Sequence, residues 1–96
     1  MTMFLFARFH ASEGGEAAVE RALVEVVAPS REETGCIEIH AYRSTRDSRL
    51  FYIHSRWKDE ASFEIHAALP HTVHFMESIE SLVDQPVEVS RANRIS

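Results

Sequence analysis

Cysteine is all but missing from this chain. Cys36 is the only one, so no internal disulfide braces the fold and no cysteine pair is present to hold zinc. A lone thiol fits a reducing compartment. Glycine and proline number three each, and no Gly-rich loop is available to cradle a nucleotide phosphate. Long hydrophobic runs are also absent. The longest near the start, Met3 to Ala7, is too short for a signal segment or a membrane span. A cytoplasmic protein with no membrane partner is the expectation. Excess positive charge is lacking as well, since the formal net charge is −5. Arg43, Arg46 and Arg49 cluster, but Asp47 sits among them in a turn-like segment. Without a clustered basic face, the composition argues against a nucleic-acid partner.

The 96 residues fit a single domain spanning 1–96, small enough to gain from a partner. MFLFARFH (3–10) reads as a strand, and its first half is apolar on both faces. Val19, Ala22, Leu23, Val26 and Val27 make one helical stripe. Pro29 is expected to end or kink that helix, with Gly35 as a C-terminal cap. CIEIHAYR (36–43) alternates like a half-buried strand, and STRDSR turns the chain into a third strand, LFYIHSRW. Asp59 is placed to cap a helix over 60–69, with Ala61, Phe63 and Ala67 or Ala68 available to face inward. Pro70 breaks this helix, and a further one carries Phe75, Met76, Ile79, Leu82 and Val83 on one stripe. VEVSRANRI reads as a last, partly exposed strand. Repeats and low-complexity tracts are absent.

The element order is thus β-α-β-β-α(α)-β. Right-handed connections turn it into an α+β, ferredoxin-like split βαβ fold: a four-stranded antiparallel sheet with helices on one face. Strands one and three are apolar on both sides, so the helix-free face needs a cover. A homodimer through that face, forming a dimeric α+β barrel, is the expected solution.

The stretch SRWKDEASFEIHAALPHTVHF (55–75) holds three of the six histidines. His66 follows Phe63 at i+3 and shares its face; a core-edge imidazole bonded to backbone and a functional one both fit that spacing. His71 follows Pro70 near a helix start, where the dipole favours a neutral ring. His71, His74 and Glu77 follow at i+3 steps, but His74 and Glu77 lie off the apolar stripe, and no HExxH accompanies them. No metal is expected. On the third strand, Phe51, Ile53, Ser55 and Trp57 fall on one face, with Tyr52, His54 and Arg56 on the other.

FARFHASEGGEAAVERAL, PSREETGCIEIHAYRS and FYIHSRWKDEASFEIHAALPHTVHF together resemble the antibiotic biosynthesis monooxygenase (ABM) family of the dimeric α+β barrel class. Its marks here are Gly35-Cys36 opening the second strand, Trp57 closing the third, Phe63-x-x-His66, Pro70-His71 and Phe75. The resemblance spans about residues 3 to 94. It implies a pocket between the sheet and the helix pair around the proline, for a small apolar or aromatic ligand. Phe9, Ile53, Trp57, Phe63, Phe75 and Ile79 would line it, with His66, His71 and Ser55 as polar points. Similar sequences often carry a glutamate where Ser55 stands, so a His–carboxylate dyad at His66 is not expected and a weaker hydrogen-bonding site is. Haem-degrading relatives use an asparagine on the first strand; Ala7 stands at that register, which argues against haem breakdown.

The activity so implied is cofactor-independent monooxygenation of a small aromatic or quinol-like substrate. His66 or His71 would be the general base, with the other imidazole, Ser55 or a backbone N–H steadying the oxyanion. The substrate supplies the electrons, so no cofactor is called for. Two alternatives share the pocket: a small-molecule isomerase using the same imidazoles, and a non-enzymatic dimeric ligand-binding or stress-associated domain.

Overall fold

The computed structural model describes all residues, 1–96. Seven elements follow in the order β1 (Met3–His10), α1 (Glu16–Arg31), β2 (Cys36–Arg43), β3 (Leu50–Trp57), α2 (Glu60–Ala68), α3 (Pro70–Glu80) and β4 (Glu88–Ala92). The strands form one antiparallel sheet in the order β2-β3-β1-β4. Helix α1 carries the chain past β3's place to the sheet edge, which is the split βαβ connection. The ferredoxin-like α+β fold is therefore present, with helices on one face only. No helix is long and apolar enough to cross a membrane.

Strand alternation decides what each face holds. Met3, Leu5, Ala7 and Phe9 of β1 are buried beneath the helices, as are Phe51, Ile53, Ser55 and Trp57 of β3. Val19, Leu23, Val26 and Val27 meet them from α1, and Thr72, Phe75 and Ile79 from α3. Phe9 and Phe75 pack edge to face with centroids 5.6 Å apart, a favoured aromatic geometry. The interior divides in two. A larger cluster lies under α1 and α3, and a smaller one of Met3, Leu5, Trp57 and Phe63 lies under α2. Domains of this size usually have one contiguous core, so the gap between the clusters needs a reason.

Three local expectations are corrected. Helix α1 runs through Pro29 to Arg31 rather than stopping there. Proline this late removes only the donor to the Glu25 carbonyl, and Glu25 is exposed. Gly35 is not a left-handed cap, because Gly14 is the only residue with positive φ. Instead a Cβ on Gly35 would collide with the Cβ and Oγ of Ser62, and the Gly35 carbonyl accepts the Lys58 N–H at 2.8 Å. Glycine here permits close approach of the α1–β2 turn to the start of α2. On α2 itself the inward pair is Phe63 and His66, while Ala61 and Ala68 are exposed. Asp59 caps this helix as expected, its Oδ1 accepting the Ser62 N–H at 2.8 Å.

Gly35→Ala should therefore lower the urea midpoint, with a loss of about 1–3 kcal/mol from overpacking. Adding Ser62→Gly should recover part of it; an unchanged midpoint in the single variant would contradict the close approach.

Candidate functional site

Leu69 and Pro70 set the geometry of the site. Proline disfavours helical backbone in the residue before it, and Leu69 is extended at ψ 148°. The turn puts His66, in the last turn of α2, opposite His71, in the first turn of α3. Their ring centroids are 6.0 Å apart. Into the space between them comes Glu33, carried on the turn after α1. Its Oε2 accepts from His66 Nδ1 at 2.8 Å and from His71 Nε2 at 2.7 Å. The Thr72 hydroxyl lies 3.3 Å from the same His66 nitrogen.

These bonds fix the tautomers when the carboxylate is charged. An ionised carboxylate only accepts, so neutral His66 carries its hydrogen on Nδ1 and neutral His71 on Nε2. His66 Nε2 then has a lone pair. It makes no hydrogen bond to the protein, and it is not among the sealed polar atoms without a partner. The ring is held from the side by Trp57, 4.4 Å away between centroids, and by Phe63 at 5.6 Å. Burial pushes the His66 pKa down; hydrogen bonding and attraction to Glu33 oppose this without overcoming it. The imidazole is thus neutral near pH 7.

His66 also lines a cavity of about 220 Å³. Leu5 and Phe63 border it from the smaller core cluster, and Ala7, Phe9, Ile53 and Phe75 from the larger. The gap in the core is this cavity. Its polar points are His66, Thr72, Ser30 and Ser55. The Ser30 hydroxyl donates to the Val26 carbonyl at 2.6 Å. Ser55 Oγ accepts from the indole N–H of Trp57 at 2.9 Å and has no acceptor for its own hydrogen within the chain, which leaves it as a donor.

Phe9, Ile53, Ser55, Phe63, His66 and Phe75 therefore meet at one cavity. His71, Trp57 and Ile79 do not border it. His71 lies on the other side of Glu33, in a separate cleft with His74 and Phe75. Trp57 is wholly buried against the His66 ring, and Ile79 sits in the larger core cluster. The residue that sequence reasoning missed is Glu33. Its only signal was a pair of glutamates in the SREETG turn, and spacing does not tell which one folds inward. The carboxylate that Ser55 does not supply reaches His66 from this turn.

Other reactive groups are placed elsewhere. Burial, with Glu33 and Glu38 nearby, raises the Cys36 thiol to about 11, so it is not a thiolate nucleophile at neutral pH. A larger open groove of about 650 Å³ runs along α3 and the approach to β4, but no imidazole or hydroxyl borders it. His10 bridges Asp84 at 2.7 Å and Asp47 at 3.1 Å, and these carboxylates raise its pKa.

The two histidines should separate in an NMR titration. His66 should titrate below its ordinary value of about 6.5 and His10 above it. Glu33→Gln should lower His66 further, because the carboxylate favours the charged ring. For stability the signs differ. His66 contributes fully above pH 6.5, and its contribution is lost as the pH falls from there. The contribution of His10 is present below pH 6.5 and is lost as the pH rises through its folded pKa. A His66 midpoint above that of His10 would refute this assignment.

Comparison with known proteins agrees with this architecture. Residues 2–78 match the family described as "Antibiotic biosynthesis monooxygenase". The Mycobacterium tuberculosis protein named "Putative monooxygenase Rv0793" is 24% identical over 86 residues, covering 90% of this chain and 84% of that one. Its solved structure superposes with a TM-score of 0.94, at 21% identity, over 100% of this chain and 97% of the other. The structure of PA3566 from Pseudomonas aeruginosa is 34% identical, with a TM-score of 0.92, covering 99% and 95%. An uncharacterized Synechocystis protein, sll1783, is 29% identical over 63 residues, which are 66% of this chain but only 43% of that protein. On the extent of the family match, this chain belongs to the antibiotic biosynthesis monooxygenase family.

Proposed function

We propose that the protein is a cofactor-independent monooxygenase of a small phenolic or quinol-like substrate, with His66 Nε2 as the general base. The observation that carries this reading is the Glu33–His66 pair. The carboxylate holds Nδ1–H, so the lone pair stands on Nε2, the ring nitrogen without a protein partner on a residue that lines the cavity. Family membership and the monooxygenase name of one relative support the reaction class. A cavity of about 220 Å³ with mainly apolar walls favours one or two flat rings over a polycycle.

The chemistry needs little else. His66 Nε2 takes a phenolic proton, and the Ser55 hydroxyl donates to the resulting oxyanion. The anion passes one electron to dioxygen, and the phenoxyl radical and superoxide join through a new C–O bond. The peroxide takes a proton from the imidazolium, the ring C–H proton is lost, and the O–O bond breaks. One oxygen stays as a carbonyl and the other leaves as water. Phenol and O₂ thus give quinone and water, with all four electrons supplied by the substrate. Mainly apolar walls would limit the contact of bulk water with the anion.

Turnover of hydroxyarenes, followed by oxygen uptake, tests the proposal. His66→Ala should lower kcat about 10²–10⁴-fold and Glu33→Gln by less, while His74→Ala should change little. The rate should fall with acid below pH 6.5, as the imidazole takes up a proton. Full activity in His66→Ala would overturn the base assignment. Turnover that persists without oxygen would favour an isomerase using the same imidazole, and ligand binding with no turnover a binding domain.

The same proposal includes a homodimer through the helix-free sheet face. Phe6 and Tyr42 are 51% and 49% exposed there, with Phe4, Tyr52 and His54 beside them on the outward side of β1 and β3. Sedimentation should give twice the 11.0 kDa chain mass, and Phe6→Glu should shift it toward monomer. A wild-type monomer at micromolar concentration would refute the dimer.

A further inference from the structure

We infer that Glu33, His66 and His71 form a site for a divalent transition-metal ion of the zinc type, and that occupancy turns His66 from proton acceptor to donor. The second half rests on the base role proposed above; the first does not. Glu33 Oε2, His66 Nδ1 and His71 Nε2 all lie within 4.8 Å of one another. Two imidazole nitrogens and a carboxylate oxygen are a set that zinc takes in open sites, leaving a fourth position for water or ligand. The side chains come from three different elements and are largely shielded, with 12% of Glu33, 10% of His66 and 27% of His71 exposed. The exposed side of His71 opens on the cleft that it shares with His74, Glu25 and Ser78, which gives an ion a way in.

The distances fit a site relaxed around hydrogen bonds. Glu33 Oε2 now lies 2.8 and 2.7 Å from the two nitrogens. Bonds of about 2.0–2.2 Å in tetrahedral array put ligand atoms roughly 3.3 Å apart, so each of these two contacts would open by about half an ångström, and the two nitrogens, within 4.8 Å of each other, would take up the same spacing. Both histidines flank the Leu69–Pro70 turn.

The proton inventory gives the consequence. A neutral imidazole that binds an ion through Nδ1 must carry its hydrogen on Nε2. Binding therefore moves the His66 hydrogen from Nδ1 to Nε2, and that of His71 from Nε2 to Nδ1. No redox change or net proton loss from the rings is needed. The nitrogen that would accept a substrate proton becomes an N–H donor, and base catalysis stops while the ion stays. The i+3 run His71, His74 and Glu77 is a weaker candidate, because His74 and Glu77 are not part of the convergent cluster.

Chelator-treated full-length protein, titrated with Co²⁺ at pH 7.5, should develop visible bands at one equivalent, and Zn²⁺ should displace them. Glu33→Gln and His71→Ala should each weaken affinity about tenfold or more, while His74→Ala should leave it unchanged. With Zn²⁺ bound, nitrogen-15 NMR should find the His66 hydrogen on Nε2 instead of Nδ1. No saturable one-to-one binding below millimolar ion would overturn the site. So would a His74→Ala loss as large as that of His71→Ala, or a hydrogen that stays on Nδ1 with zinc bound. Where a hydroxyarene is turned over, Zn²⁺ should abolish turnover and a chelator restore it. One-to-one binding with the hydrogen shift, but undiminished turnover, would leave the metal site standing and remove the base role of His66.

Discussion

A single carboxylate oxygen, Oε2 of Glu33, accepts hydrogen bonds from two imidazoles on two different helices, and the organisation of the site follows from it. Without that acceptor, the ring of His66 would be a buried heterocycle with either tautomer open to it. With it, one nitrogen is committed and the other keeps a lone pair with no partner in the protein. Burial and the carboxylate pull the proton affinity of the ring in opposite directions. The balance leaves an imidazole neutral near pH 7 yet still able to take a proton, which is what proton abstraction at neutral pH requires.

The carboxylate reaches this place because the backbone is pinned beside it. Gly35 lies against Ser62 at the start of α2, and its carbonyl holds the Lys58 N–H. The turn bearing Glu33 is thereby drawn toward the helix that carries His66. Pro70 does the complementary work, ending α2 and starting α3 so that both imidazoles face the same point. The division of the core into two clusters belongs to the same arrangement. Trp57 and Phe63 fill one side, Phe9 and Phe75 the other, and neither set closes the space next to His66.

Most of the fold was legible in the sequence because its signals are local. Alternation along residues 3–9 and 50–57 sorted inward from outward side chains correctly, Ser55 and Trp57 included, whereas His10, grouped with the outward set, is buried. Asp59 announced the start of α2. Pro29 and Gly35 misled, since a late proline costs a helix little and a glycine also serves where two chains touch. The site was half legible. Phe63-x-x-His66 placed the imidazole on a buried face, but the partner lies 33 residues away in sequence on an irregular turn. Periodicity says nothing about which of two adjacent glutamates turns inward, and His71 was read as facing the cavity when it faces Glu33.

The bond from the Trp57 indole to Ser55 Oγ also gives the cavity a handedness toward its guests. Ser55 offers a hydrogen, and His66 Nε2 offers a lone pair. A hydroxyl that gives its proton to Nε2 and then accepts from Ser55 as an oxyanion would engage both through one oxygen, so a ring with a single hydroxyl has one pose, whereas a ring with identical ends has two. Unsymmetrical guests would be sorted by orientation as well as by size, and the ring carbon left facing the apolar wall would be the same each time.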